Sequence, residues 1–187
     1  ADIHNNDPTW GWEVRNVYQT EDTEIYSLLF ISQKWQGILW KHELIVFVPK
    51  SVTRDGAMLF ITGGSVRDGM PRFSDPDKEI ARSLSALANQ NSALVCLLKQ
   101  VPNQPLYDNL KEDALVSYTL NEFKKDSDYS WPLLFPMTKS AYKAMDAIQE
   151  FGKEQLDQEI NRFLVTGASK RGWTTWLTGA TQDPRVT

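Results

Sequence analysis

The sequence predicts an α/β fold whose sheet is mostly parallel and opens with an antiparallel hairpin. Two runs of branched and aromatic residues follow each other directly near the start of the chain. Further short apolar runs then alternate with segments of helical period, which is typical of a parallel sheet covered by helices. Composition does not shift along the 187 residues, of which 41% are hydrophobic, so we expect one domain or part of one.

The first predicted elements are strands. The hairpin covers residues 25–31 and 37–48, and Pro49 ends its second strand. Residues 57–62 form a short apolar run closed by two glycines. A run of this kind indicates a strand buried on both faces.

Helical spacing begins after this strand. Asp75 would cap the first helix and Pro76 would lie in its first turn. Its apolar positions are Ile80, Leu84, Leu87 and Ala88. Residues 93–98 predict the next strand, residues 137–151 a helix and residues 162–166 a further strand, and this alternation implies parallel pairing.

A serine stands at the turn after the last predicted strand. Residues 162–166 lead into Gly167, Ala168 and Ser169, and a segment predicted to be helical follows. A strand, a sharp turn with serine at its apex and a helix form the arrangement by which an α/β-hydrolase exposes its nucleophile. The sequence therefore predicts a sheet of the α/β-hydrolase type with Ser169 as a catalytic residue.

Two turns would supply the oxyanion hole. The backbone amide of Lys170, directly after the serine, is one candidate donor. The other lies on the glycine-rich turn after residues 57–62, where the candidates are Gly64 and Ser65. Because both turns follow strands of one sheet, we expect them to converge on one edge, where open α/β sheets bind ligands.

The turn departs from the usual Gly-x-Ser-x-Gly pattern, because Arg171 stands two positions after the serine and the glycine comes at Gly172. A large side chain at this position should point away from the strand. Ser169 could instead serve only as a helix cap. Lys170 and Arg171 could supply positive charge to an oxyanion or a carboxylate substrate, or could form a solvent-facing pair.

A second enzyme class shares part of this turn. Residues 166–169 also open the phosphate-binding turn of short-chain dehydrogenases, whose later glycines let a dinucleotide approach the backbone. Arg171 and Trp173 occupy those glycine positions, and the chain has no room for the strands and acidic ribose ligand that should follow. We therefore predict no dinucleotide and no other cofactor.

Residues 101–136 form a looser region with four prolines and a helix predicted at about residues 108–123. Two interpretations stay open. The region is either an ordinary surface crossover, since long connections often carry no chemistry, or a helical excursion over the side of the sheet that holds the serine.

Composition and charge exclude several partners. The formal net charge of -4 comes from interspersed acids and bases, so we expect no nucleic acid. No apolar run approaches the roughly 20 residues that cross a bilayer, so we expect no membrane span. The two histidines, His4 and His42, are too few and too distant for a metal site. Cys96 and most of the seven tryptophans are predicted to lie in the core.

Short motifs occur in order along nearly the whole chain. They lie at residues 9–12, 40–44, 62–65, 112–114, 118–119, 131–133, 136–137, 139–140, 144–146, 149–151, 167–173 and 183–186. In these motifs residues 1–187 resemble the amino-terminal portion of the PhoPQ-activated pathogenicity-related protein family, a group of secreted or periplasmic α/β-hydrolase-like proteins, and would form the amino-terminal part of one α/β-hydrolase domain. The family itself carries Lys-Arg-Gly after the serine, so the resemblance covers the unusual turn.

The resemblance implies a secreted or periplasmic serine hydrolase that cleaves an ester or amide bond in a small-molecule or peptide substrate. It also implies a longer protein whose later strands bring the acid and the histidine, since both histidines here precede Ser169. A sheet that stopped at residues 162–166 would leave an apolar strand as an open edge. We therefore expect the remainder of the hydrolase domain as a second chain or a nicked segment.

The alternative function is a non-catalytic secreted signalling or binding protein that keeps this fold, because a fold does not fix a function. The chain begins at Ala1 without methionine. A secreted protein would begin in this way after loss of its signal peptide, and a trimmed chain would do the same.

Overall fold

The computed structural model describes residues 7–74 and 79–187. Its elements alternate between strands and helices after an all-β start. In chain order they are β1 (Gly11–Gln19), β2 (Thr23–Trp35), β3 (Ile38–Pro49), β4 (Gly56–Ile61), β5 (Val66–Arg67), β6 (Met70–Pro71), α1 (Glu79–Asn91), β7 (Leu94–Leu98), α2 (Glu112–Asp126), α3 (Leu134–Leu156), β8 (Arg162–Gly167) and α4 (Lys170–Ala180).

Six of these strands form one sheet in the order β1-β2-β3-β7-β4-β8, and β5 pairs with β6 in a small hairpin. β1, β2 and β3 are an antiparallel meander, and β3 pairs antiparallel with β7. β4 lies between β7 and β8 and is parallel to both. The predicted fold class is therefore confirmed, with an antiparallel start and a parallel section connected through helices.

Both faces of the sheet carry a hydrophobic core. Successive residues of β3 point to opposite faces, so Leu44 and Val46 join the cluster beneath α3, whereas Ile45 and Phe47 join the cluster beneath α1. The α3 side is the larger, and α4 packs there against α3 and β8. Cys96 is buried in this larger cluster, as predicted.

Two differences from the predicted elements concern short or irregular strands. β1 was not predicted, because its register shifts between Val14 and Asn16 and most of its residues are exposed, which removes the alternation that marks a strand. The β5–β6 hairpin has only two residues in each strand. The predicted cap and first-turn residues of α1, Asp75 and Pro76, lie outside the described residues.

β8 forms one edge of the sheet, and the end of the chain partly covers it. The Phe163 amide donates to the Arg185 carbonyl at 2.7 Å, and the Thr187 amide donates to the Phe163 carbonyl at 3.1 Å. Val186 therefore stands opposite Phe163 in an isolated parallel bridge. Leu164, on the α1 side of β8, is 56% exposed. No helix within residues 7–74 and 79–187 is long and apolar enough to cross a membrane.

Candidate active site

The turns after β4 and β8, which the sequence predicts to form the site, lie side by side at one edge of the sheet. Ile61, the last residue of β4, is paired with Gly167, the last residue of β8. The loop after β4 is also bonded to the loop after β7, because the amides of Gln100 and Val101 donate to the carbonyls of Gly63 and Thr62 at 3.0 and 3.2 Å. Three neighbouring strands thus deliver three loops to one place, as expected for a ligand site of an open α/β sheet.

Ser169 sits at the sharp turn between β8 and α4. Its backbone has φ 56° and ψ −123°, a region that non-glycine residues rarely adopt and that proteins retain mainly at functional sites. The residue is exposed, and its hydroxyl makes no capping hydrogen bond to α4. The interpretation of Ser169 as a simple helix cap therefore lacks the bond on which it depends.

Two glycines let α4 approach β8 closely enough to make this turn. A Cβ built at Gly167 would lie 2.8 Å from the Arg171 carbonyl oxygen, and one at Gly172 would lie 3.3 Å from the Gly167 oxygen. Gly167, two positions before the serine, is thus required by a backbone contact rather than by an unusual φ. Gly172, one position later than in the usual pattern, lies opposite it across the same contact.

The candidate oxyanion donors lie on these turns. Lys170 is the first residue of α4, so its amide has no acceptor within the helix and lies at the positive end of the helix dipole. Gly64 has φ 141°, which favours glycine, and a Cβ there would lie 3.0 Å from the side-chain nitrogen of Gln100. The Ser65 carbonyl accepts from the Arg72 amide at 3.0 Å, which closes the β5–β6 hairpin.

Arg171 does not face solvent, contrary to one of the two sequence interpretations. Its side chain is 11% exposed and contacts the loops after β4 and β7. Its Nε donates to the Val101 carbonyl at 2.6 Å, and Nη1 and Nη2 donate to the two carboxylate oxygens of Glu112 at 2.8 and 2.7 Å. Its charge is therefore committed within the protein, which argues against a direct role in holding an anionic substrate.

Glu112 is a site residue that the sequence analysis did not single out for chemistry. It begins α2 with φ 51°, and its strained backbone is held by Gln104, whose side chain accepts from the Glu112 amide at 2.8 Å and donates to its carboxylate at 2.6 Å. Hydrogen bonds from Arg171, then Gln104 and Lys170, lower the pKa of Glu112 to about 2 despite some burial. The only sequence feature that pointed to Glu112 is its place in the family motif at residues 112–114.

Lys170 is also paired. Its ammonium lies 2.8 Å from Asp113 and 3.0 Å from Glu112, and these carboxylates raise the pKa of Lys170. The region of residues 101–136 therefore touches the serine turn through the start of α2. The two basic side chains after the serine and the two acidic ones of α2 form a locally neutral cluster.

His42 is a fully buried core residue, and its hydrogen-bond partners lie on β2 and directly after β7. Its Nδ1 lies 2.9 Å from the Lys99 carbonyl, which can only accept, so Nδ1 carries the proton and Nε2 accepts from the Ser32 hydroxyl at 2.9 Å. Complete burial lowers the pKa of His42 to about 4, which keeps the ring neutral at pH 7. Within residues 7–74 and 79–187, no group of histidine, cysteine and acidic side chains could hold a metal ion.

The tryptophans divide between core and surface. Trp40 is fully buried and Trp35 nearly so, and Trp10, Trp12 and Trp131 pack against the same cluster. The remaining two, Trp173 and Trp176, are 57% and 81% exposed on α4. Most of the set is core, as predicted.

The strand order and the serine turn between β8 and α4 define a protein with the fold of the α/β-hydrolases. Comparison with known proteins then gives the family. Residues 2–187 match the model of the PhoPQ-activated pathogenicity-related protein family, and the chain belongs to that family. It is 37% identical over 192 residues to autocrine proliferation repressor protein A of Dictyostelium discoideum, an alignment that covers 96% of this chain and 37% of that protein.

Solved esterase structures share the fold. A glucuronoyl esterase from Solibacter usitatus superposes with a TM-score of 0.57 and 13% identity over 97% of this chain and 51% of its own. Acetyl xylan esterase 1 from Thermoanaerobacterium superposes with a TM-score of 0.56 and 17% identity over 95% of this chain and 50% of its own. The chain thus spans about half the length of these esterases and 37% of its Dictyostelium relative.

Proposed function

We propose that this chain carries the nucleophile of a serine hydrolase that cleaves an ester or amide bond. The observation that carries the proposal is the exposed Ser169 in a strained turn at the end of β8, without a capping bond and beside the loop after β4. Family membership and the esterase-like fold support it.

In the proposed reaction the Ser169 oxygen attacks the substrate carbonyl and gives its proton to a histidine of the remainder of the domain. The amide of Lys170 and that of Gly64 or Ser65 hold the negative oxygen of the tetrahedral intermediate. Collapse of the intermediate expels the alcohol or amine, which takes the proton from that histidine. Water then hydrolyses the acyl-enzyme and regenerates the serine.

The remainder of the hydrolase domain is the partner that this mechanism needs, and we propose that it binds as a second chain or nicked segment on the β8 side. Soluble proteins usually cover open strand edges and apolar surface. The β8 side has both, since β8 lies at the edge of the sheet and Leu164, Trp173 and Trp176 are exposed there. Native mass spectrometry tests this proposal. A stable monomer of this chain alone would contradict it.

We also propose that the mature protein is secreted or periplasmic, which family membership supports. Fractionation of the producing cells tests the assignment, with amino-terminal sequencing of the protein recovered from each fraction. Recovery from the cytosolic fraction alone would contradict it.

The test of the serine is covalent labelling of the natively purified protein, together with its remainder, by a fluorophosphonate probe. We expect one adduct by intact mass, lost in Ser169→Ala and retained in Ser83→Ala, because Ser83 is an exposed serine on α1. No adduct on the folded, complete protein would overturn the proposal.

The second candidate is a non-catalytic secreted signalling or binding protein. The name of the Dictyostelium relative, an autocrine proliferation repressor, favours it at 37% identity. The same labelling experiment separates the two candidates, since a signalling protein that has lost catalysis gives no adduct at Ser169.

A further inference from the structure

We propose that Arg171 is a positioning residue that clamps the serine turn to the loop carrying Gly64 and so fixes the distance between the nucleophile and the oxyanion donors. This inference rests on the proposed hydrolase function for its catalytic meaning. The clamp itself consists of contacts of the Arg171 side chain with Val101, Glu112 and Gly63, which exist whether or not Ser169 reacts.

The first part of the clamp is the guanidinium group of Arg171. Its three donor nitrogens all have acceptors, the Val101 carbonyl at 2.6 Å and the two Glu112 oxygens at 2.7 and 2.8 Å. This bidentate fork fixes direction as well as distance, which an ammonium group cannot do. A residue two positions after Ser169 is thereby bonded to the loop after β7 and to the start of α2.

The second part is the contact with the loop after β4. A Cβ at Gly63 would lie 2.6 Å from the Arg171 Nη2 and 3.2 Å from its Cζ, so the guanidinium lies directly on the backbone of that loop. Gly63 also accepts from the Gln100 amide at 3.0 Å. The loop is thus held between the arginine and the segment after β7.

The third part joins Glu112 to Gly64. Gln104 donates to the Glu112 carboxylate at 2.6 Å and to the Gly64 carbonyl at 3.4 Å, and its own carbonyl accepts from the Val66 amide at 2.7 Å. A continuous chain of hydrogen bonds therefore runs from the helix that follows Ser169, through Arg171, Glu112 and Gln104, to a candidate oxyanion residue.

Stability alone does not explain this arrangement. The side chain of Arg171 is 11% exposed and that of Glu112 is 39% exposed. Such a pair contributes little net stability, because burial of the arginine charge costs desolvation and solvent screens the half-exposed carboxylate. Its geometry instead restricts where the two turns can lie. Catalysis depends on such restriction, since a misplacement of about 1 Å near the reacting atoms can slow a reaction roughly 100-fold. The clamp therefore explains why an arginine occupies the position at which related turns have glycine.

The test compares Arg171→Met and Gly63→Ala with wild type in the complete protein. Gly63→Ala keeps every charge and displaces the guanidinium, so it tests the clamp even if Arg171→Met does not fold. Arg162→Met is the matched control, because Arg162 pairs with Asp55 at the opposite end of β8 in an exposed salt bridge.

Two readouts are used. In hydrogen exchange we expect both clamp variants to exchange at least about 10-fold faster in residues 62–66 and 100–104, with no change in β2 or α1. In fluorophosphonate labelling we expect the maximal rate of inactivation to fall about 10- to 100-fold at an unchanged half-saturating probe concentration. Arg171→Lys should not restore the rate, since a single ammonium nitrogen cannot reproduce the planar fork that reaches the Val101 carbonyl and both Glu112 oxygens at once. Arg162→Met should match wild type.

Unchanged exchange in residues 62–66 would overturn the clamp, and so would a uniform rise in exchange across the whole sheet, which indicates global destabilisation. Full recovery of the labelling rate by Arg171→Lys would overturn it as well. Absence of labelling in wild type would overturn the proposed function instead, and exchange would then decide the clamp by itself.

Discussion

Gly167→Ala tests how closely α4 must approach β8 to form the serine turn. A Cβ at Gly167 would lie 2.8 Å from the Cβ and the carbonyl oxygen of Arg171 and 2.9 Å from its carbonyl carbon. Ordinary contact begins at 3.4 Å, so the first turn of α4 would have to move by about 0.6 Å, which is 3.4 minus 2.8. Two of the three atoms belong to the backbone, so no change of rotamer relieves the overlap.

The expected effect follows from two opposing terms. Overpacking of this kind costs about 1–3 kcal/mol, whereas replacing a glycine restricts the unfolded chain and returns about 0.4–1 kcal/mol. We therefore expect Gly167→Ala to lower the free energy of unfolding by about 1–2 kcal/mol. It should also slow fluorophosphonate labelling, since the displaced turn carries Ser169.

The two glycines of α4, Gly172 and Gly179, are matched controls. No atom of residues 7–74 or 79–187 lies within 4 Å of a Cβ at Gly179, so Gly179→Ala should raise the free energy of unfolding by up to about 1 kcal/mol. Gly172→Ala meets one oxygen at 3.3 Å and should lie between the other two variants. Urea unfolding followed by circular dichroism measures all three. A Gly167→Ala protein as stable as Gly179→Ala would refute the close approach.

Three other predictions concern stability. The paired arginine lowers the pKa of Glu112 from 4.5 to about 2, so the stability advantage of wild type over Glu112→Gln should be complete above about pH 4.5 and shrink as the pH falls to about 2. A difference in the free energy of urea unfolding that does not change with pH would contradict this. Burial lowers the pKa of His42 from 6.5 to about 4, so between these pH values the folded state binds fewer protons than the unfolded state. The stability advantage of wild type over His42→Gln should therefore be complete above pH 6.5 and narrow toward pH 4. Trp35→Phe should lower the free energy of unfolding by about 1 kcal/mol more than Trp40→Phe, as measured by thermal unfolding. The Trp35 indole donates to the Ser130 carbonyl at 2.8 Å, whereas the Trp40 indole has no acceptor within residues 7–74 and 79–187. Equal losses of stability would show that the Trp35 hydrogen bond contributes nothing.

Strands and helices with a clean period could be predicted from the sequence. The apolar runs at residues 57–62, 93–98 and 162–166 became β4, β7 and β8 within one or two residues. β1 escaped because its bulge breaks the alternation on which strand prediction depends. α2 begins at Glu112, later than the predicted residue 108, because the preceding turn holds consecutive residues at positive φ.

The position of Arg171 shows a second limit. Its place in the sequence suggested either a solvent-facing charge or a ligand for an anion, and in the structure it is buried against Gly63 and bonded to Glu112. These partners are 108 and 59 positions away in the chain, from 171 minus 63 and 171 minus 112. A local pattern cannot reveal a partner at such a separation, because only the order of strands in the sheet brings those loops together.

The sequence by itself determined the fold class, the serine turn and the family resemblance, because each is written in contiguous residues: a strand period, a helix period or a short motif. Only the tertiary structure decided that β4 and β8 are neighbouring strands, that Ser169 lacks a capping bond and that His42 is a buried, neutral core residue. The physical reason is that strand pairing, burial and desolvation are properties of residues distant in sequence, and they exist only once the sheet has formed.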